Sequence, residues 1–180
     1  MKRTEHICLM AEYNEWMNDK LYEAAMTLSD EELAANRMAY FGSILGTLNH
    51  LVVGDTLWLK RFSTHPANYS ALELVKKLPL PISLDQVVFN DIRSLSRHRK
   101  ELDQAIKDWA HSISEEDLDY VMTYSNMKGI EAQKNYYSLV MNLFNHQTHH
   151  RGQATTLLSQ ADVDVGITDL LAIVPNESTI

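Results

Sequence analysis

Apolar residues recur three and four positions apart over four long stretches of this chain, the period of a helix that buries one face, and glycine and proline are sparse. The first stretch runs from about His6 to Leu28, where Leu9, Tyr13, Trp16, Met17, Leu21, Ala24 and Ala25 form a stripe. Ser29-Asp30-Glu31-Glu32 breaks it and caps a short helix. The second stretch, about Tyr40 to Phe62, is so apolar that it belongs at the centre of a bundle, and it stops near His65-Pro66. A polar connection through Asn68, Tyr69 and Ser70, then Pro79 and Pro81, leads to a third helix. This helix is predicted to start at Ser83, where Ser83 and Gln86 have capping-box spacing, and to run to about His111.

Between the third and fourth helices the pattern changes. Ser114 to Asp117 caps a short turn, and Tyr120-Val121-Met122-Thr123-Tyr124 followed by Asn126-Met127-Lys128-Gly129 predicts a small hairpin. The fourth helix takes about Tyr136 to Gln160, and Ala161 to Ile180 is an irregular tail whose apolar residues pack along the bundle. The reading is one all-α domain over residues 1–180. It is an antiparallel four-helix bundle with a small irregular or hairpin insertion before the last long helix, a fold that builds its sites from side chains facing the core.

Composition narrows the function. At 180 residues and 45% hydrophobic content the chain can bury one sizeable core. A formal net charge of -8 repels phosphate backbones, so no nucleic-acid partner is expected. No apolar run approaches the roughly 20 residues of a membrane span, and Met1 to His6 lacks a secretory pattern, so a cytoplasmic protein with no membrane partner is expected. Cys8 stands alone, which excludes an internal disulfide and a thiolate cluster, and it reads as core filler.

The histidines are the candidate chemistry. His146 and His150 are four apart on a helix, so their rings project from one face about 6 Å apart, as when one helix gives two ligands to a metal. Eight histidines in 180 residues produce about 0.35 such pairs by chance, so spacing alone says little. Direction says more: at about 100° per residue the pair shares its sector with Leu139, Leu143 and Leu157 and points into the core. Two buried imidazoles on one face need separate hydrogen-bond partners or a shared metal. His149 lies at the edge of the sector and reads as a neighbour rather than a ligand.

A third ligand must come from another helix. His50 is the best candidate, sharing its face with Ser43, Gly46, Thr47, Val53, Gly54 and Leu57, mostly small residues that leave room for a metal or let a helix approach. Taken by itself, His50 reads first as a core histidine and second as a ligand. His6, His65, His98 and His111 read as surface residues. The acidic runs Asp30-Glu31-Glu32 and Glu115-Glu116-Asp117 read as helix-start charges rather than ligands.

Three segments carry a resemblance. They are Tyr13-Asn14-Glu15-Trp16 with Leu21-Tyr22, Ala39 through His50 (AYFGSILGTLNH), and Asn145-His146-Gln147-Thr148-His149-His150-Arg151-Gly152-Gln153; the tail Gly166 to Leu171 adds to them. In this order, over nearly the whole chain, they resemble the DinB family of metal-binding four-helix bundles. The resemblance implies that His50, His146 and His150 bind a divalent metal; a site of three imidazoles is expected to take zinc or nickel first, iron or manganese also. It implies kinship with thiol-dependent transferases and isomerases, in which a metal activates a low-molecular-weight thiol, and with proteins regarded as metal-dependent hydrolases. It also implies a homodimer.

Three imidazoles without a fourth protein ligand leave coordination positions open, the mark of a catalytic site. With the thiol chemistry that the resemblance implies, the first expectation is a metal-dependent enzyme that activates a thiol for transfer to an electrophilic small molecule. The rivals are a hydrolase using metal-activated water and a non-enzymatic metal-binding stress-response protein. Tyr13, Asn14, Trp16, Asn49, Asn145, His149 and Gln153 are candidates to shape the pocket or orient the ligands.

Overall fold

The computed structural model describes residues 1–176; the last four residues of the predicted tail, 177–180, lie outside the described residues. Among the described residues the helices are α1 (Arg3–Ala25), α2 (Asp30–Ala34), α3 (Ile44–Phe62), α4 (Glu73–Lys77), α5 (Ile92–Ser112) and α6 (Tyr136–Ser159), with the strands β1 (Val121–Ser125) and β2 (Glu131–Asn135) between α5 and α6. The four long helices form the bundle: α1 packs on α5 and α6, and α3 packs on the same two. None of the described helices is long and apolar enough to cross a membrane.

Each long helix turns its leucines and isoleucines inward. Ile7, Leu21, Leu48, Leu51, Leu59, Leu95, Leu143 and Leu158 have essentially no exposed surface, and truncating one such residue to alanine typically costs about 2–5 kcal/mol. One end of the core is aromatic. Phe62 stacks on Trp109 at 5.1 Å, and the Trp109 indole donates to the Tyr136 hydroxyl at 3.0 Å. Cys8 sits half-buried against the core, its Sγ 3.5 Å from His111 Nδ1.

Short elements follow their turn chemistry. The Ser29 side chain accepts from Glu32 N–H, and the Glu32 carboxylate accepts from Ser29 N–H at 2.8 Å, a closed capping box on α2. The hairpin pairs Val121 with Asn135 through Ser125 with Glu131. Its turn is fixed by Asn126 Oδ1, which accepts from Lys128 and Ile130 N–H, and by Gly129 at φ 74°.

Four expectations are corrected. The third long helix begins at Ile92, capped by Asp91 on Ser94 N–H, and not at Ser83. Gln86 Oε1 accepts from Ile82 N–H instead of closing a box with Ser83. Asn49 of α3 holds the following backbone as a loop, its Oδ1 accepting from Val88 and Phe89 N–H and its Nδ2 donating to Phe89 O. The second long helix begins at Ile44 and not at Tyr40, because Gly42 turns the chain at φ 74° and Ser43 caps Gly46 N–H.

The other two corrections concern histidines. His65 is buried, its ring 4.4 Å from that of Tyr136 and 5.3 Å from that of Tyr69, with Nε2–H directed at Asp117 O (3.3 Å) and Nδ1 accepting from Ala67 N–H. His98 is half-buried with its ring 5.2 Å from Phe89, because the loop before α5 folds back over it.

Candidate metal centre

His50 comes from the middle of α3, and His146 and His150 from consecutive turns of α6, which lies against it. Their Nε2 atoms converge: His50 Nε2 is 3.2 Å from His146 Nε2 and 3.1 Å from His150 Nε2. Among the described residues these three form the cluster whose donor atoms are close enough to share one ion.

The partners of the opposite ring nitrogens fix the tautomers. His50 Nδ1–H donates to Leu84 O at 2.7 Å, and His150 Nδ1–H donates to Gln153 Oε1 at 2.8 Å. Each ring therefore turns an Nε2 lone pair toward the other. Burial holds all three imidazoles below the ordinary pKa of 6.5, His146 down to about 3, so at neutral pH the rings are uncharged and the Nε2 atoms of His50 and His150 face each other without a proton between them. Facing lone pairs at 3.1 Å repel, and a cation at their focus removes the repulsion. A tetrahedral ion with metal–nitrogen bonds of about 2.0–2.1 Å sets its ligand nitrogens about 3.3 Å apart, close to the spacing here. The donor set fits a divalent metal.

Small residues and one aromatic ring shape the surroundings. A Cβ on Gly54 would lie 2.5 Å from His146 Cε1, so glycine is what lets α6 bring that imidazole against α3. The Phe41 ring stacks on His50 at 3.8 Å with planes 16° apart and meets His150 edge-on at 5.5 Å. Phe41 reaches this position because the turn at Gly42 precedes the helix, and a side chain at Gly46 would collide with the Phe41 carbonyl.

The remaining predicted residues scatter. Gln153 joins the site: it accepts from His150, and its Nε2 is 3.3 Å from Nε2 of the exposed His149. Asn49 is buried and grips the loop that supplies Leu84 O, so it reaches His50 only through that loop. Asn145 is exposed on α6. The Tyr13 hydroxyl donates to Thr168 O at 2.6 Å, tying α1 to the tail, and Trp16 lies beside Tyr13 with Lys20 over its ring.

Behind the histidines runs a buried charge network. Asp55 accepts from Arg99 at 2.5 Å and from Gln147, the residue after His146. Arg99 also donates to Asp103 at 3.0 Å, which accepts in addition from Asn14 at 3.1 Å and Asn18 at 2.8 Å. Arg151, the residue after His150, donates to Asn14 Oδ1. Arg99 thus bridges two carboxylates, Arg151 joins them through Asn14, and the seven residues come from all four long helices. Burial pushes the Asp103 carboxyl up, against the opposing pull of Arg99. Asn14 was expected near a pocket; Asp55, Arg99, Asp103, Gln147 and Arg151 were not singled out.

Comparison with known proteins agrees with the segments read from the sequence. The chain is 25% identical over 161 residues to Protein DinB of Bacillus subtilis (strain 168), a match covering 88% of this chain and 87% of that protein. No solved structure matches it. The model of the DinB family matches residues 1–177, and the chain belongs to that family.

Proposed function

We propose that His50, His146 and His150 hold one divalent cation, and that the protein uses it to activate a thiol for transfer to an electrophilic small molecule. The observation that carries the metal centre is the convergence of three uncharged imidazoles, with the Nε2 atoms of His146 and His150 3.2 and 3.1 Å from that of His50 and the opposite nitrogens of His50 and His150 already committed as donors. Imidazole suits zinc and nickel and also accepts iron. An ion in such a set supplies Lewis acidity, lowering the pKa of a thiol or water that reaches it.

The chain's own residues do the rest. Leu84 O and Gln153 hold the Nδ1 protons of His50 and His150 so that both Nε2 atoms stay unprotonated. Phe41 covers one side of the imidazoles and keeps water from it. Only three protein donors gather among the described residues, which leaves positions for exchangeable ligands.

Metal content by plasma mass spectrometry, wild type beside His50→Ala, His146→Ala and His150→Ala, tests the centre. About one ion per chain, lost in each variant while the helical signal survives, is the expected result; a wild type that takes up no zinc or nickel ends the reading. Assays of the loaded protein on thiol and ester panels then separate the chemistries. Product formed in proportion to thiol consumed supports the transferase, and turnover without thiol replaces it with a hydrolase. Loss of folding on chelation with no turnover leaves a metal-binding stress-response protein. Self-association belongs to the same proposal, and sedimentation showing only monomer removes it.

A further inference from the structure

The line of α3 that carries His50 continues past the metal centre. At about 100° per residue, Gly54 lies about 40° to one side of His50, Leu57 about 20° to the other, and Arg61 returns to within about 20° after three turns, roughly 16 Å along the axis. The outer half of this stripe, Leu57 and Arg61, is the floor of a groove of about 820 Å³ walled by Tyr124 and Met127 of the hairpin and by Leu80 and Ile82 of the loop before α5. An adjoining hollow of about 480 Å³ shares Ile82 and Met127 and reaches Phe41 and Leu84. Those two residues stack on His50 and accept its Nδ1–H. The groove therefore leads from the edge of the histidine cluster to Arg61.

Its chemistry is polarised. The walls are mostly apolar, with Thr123, Ser125 and Asn126 as their polar part, and Ile82 is 85% exposed, an uncovered aliphatic surface beside a polar site. Acidic residues outnumber basic ones 24 to 16 in the chain, yet among the described residues no aspartate or glutamate lines the larger groove, while Lys60 and Arg61 do. The Arg61 guanidinium is held 4.6 Å above the Trp58 ring and 5.1 Å from the Tyr124 ring. Among the described residues it has no carboxylate in salt-bridge reach and no protein acceptor for its N–H groups. Partly desolvating a cation without a counter-charge is costly, and a guanidinium clamped between rings presents its donors in a fixed fork that matches a carboxylate.

We propose that this groove binds a small organic acid. Its carboxylate docks on Arg61, with Lys60 beside it anchored on Lys76 O at 2.9 Å, its apolar body lies on Leu57 between Ile82 and Met127, and its far end reaches the three histidines. The proposal names the substrate class of the metal centre and rests on that reading for the reactive end alone.

Calorimetric titration with decanoate and with decylamine, on metal-free and zinc-loaded protein, tests it. Decanoate binds both forms, decylamine binds at least tenfold more weakly, and Arg61→Gln lowers decanoate affinity about tenfold. Ile82→Glu, at an exposed position where folding is not at risk, lowers it comparably with an unchanged circular dichroism spectrum. Equal affinity for the two probes, or decanoate binding untouched by both substitutions, overturns the groove. The combined His50→Gln, His146→Gln, His150→Gln variant separates the readings: it keeps decanoate while losing zinc. Zinc uptake without decanoate binding leaves the metal centre and removes the organic acid.

Discussion

Gly54 and His146 touch so closely that a single added methyl on residue 54 would stand 2.5 Å from His146 Cε1. The contact joins the two helices that supply the histidines, and it is backbone against ring, so α3 has nothing flexible to withdraw. Gly54→Ala should displace the His146 ring and weaken zinc binding at least tenfold, in the range seen when groups that orient a metal ligand are lost. Helical content should hold, since alanine favours the helix over glycine by about 1 kcal/mol. Zinc affinity by chelator competition reads the effect; an unchanged affinity would mean that the ring is not held in this position.

Gln153 is a second handle on the same centre. Its Oε1 accepts the Nδ1 proton of His150 and so keeps the Nε2 lone pair facing inward. Gln153→Ala frees the ring to rotate and should cost about 10–100-fold in metal affinity. Gln153→Glu keeps an acceptor, adds charge, and should restore or exceed wild-type affinity. Equal affinity in all three proteins would show that His150 is oriented by something else.

How much of this was legible in the sequence follows from how local each signal is. The long helices and the hairpin carry their own periods, and the four-residue spacing of His146 and His150 is likewise local. The start of α5 was misread because the decisive partners lie about forty residues upstream: Asn49 and His50 take up the backbone groups of Val88, Phe89 and Leu84. Phe41 was missed because the apolar run was extended through Gly42 and Ser43, although a glycine followed by a serine is a legible helix start. Asp55 and Arg99 lie 44 residues apart with no local signal linking them, and only the fold brings them together.

That buried network yields a stability prediction. Arg99 is the one guanidinium shared by Asp55 and Asp103, and all three side chains are nearly or wholly buried. Arg99→Met leaves two carboxylates without it in the core and should cost about 3–5 kcal/mol, because removing one member of a buried pair strands the other's charge. Urea unfolding followed by circular dichroism measures it. A loss below about 1 kcal/mol would mean that water reaches the carboxylates and that the network is not dry.

Acid should destabilise the metal-free protein through its histidines. Burial sets the pKa of His50, His65, His146 and His150 below the ordinary 6.5, with His146 at about 3. The unfolded chain protonates these rings near 6.5 and the folded chain resists, so below 6.5 the unfolded state binds more protons. Stability is then fully present above about pH 6.5 and is lost as pH falls, the window for His146 extending toward pH 3. In chelator-treated protein the thermal midpoint should fall between pH 7.5 and pH 5.5. Replacing His50, His146 and His150 together by glutamine should flatten that fall, leaving the share carried by His65 and His98, whose pKa burial also lowers. A wild-type midpoint that stays level across the interval would mean that the imidazoles remain solvated in the metal-free state, and with that the repulsion between their lone pairs, the reason for a cation at this site, would be gone.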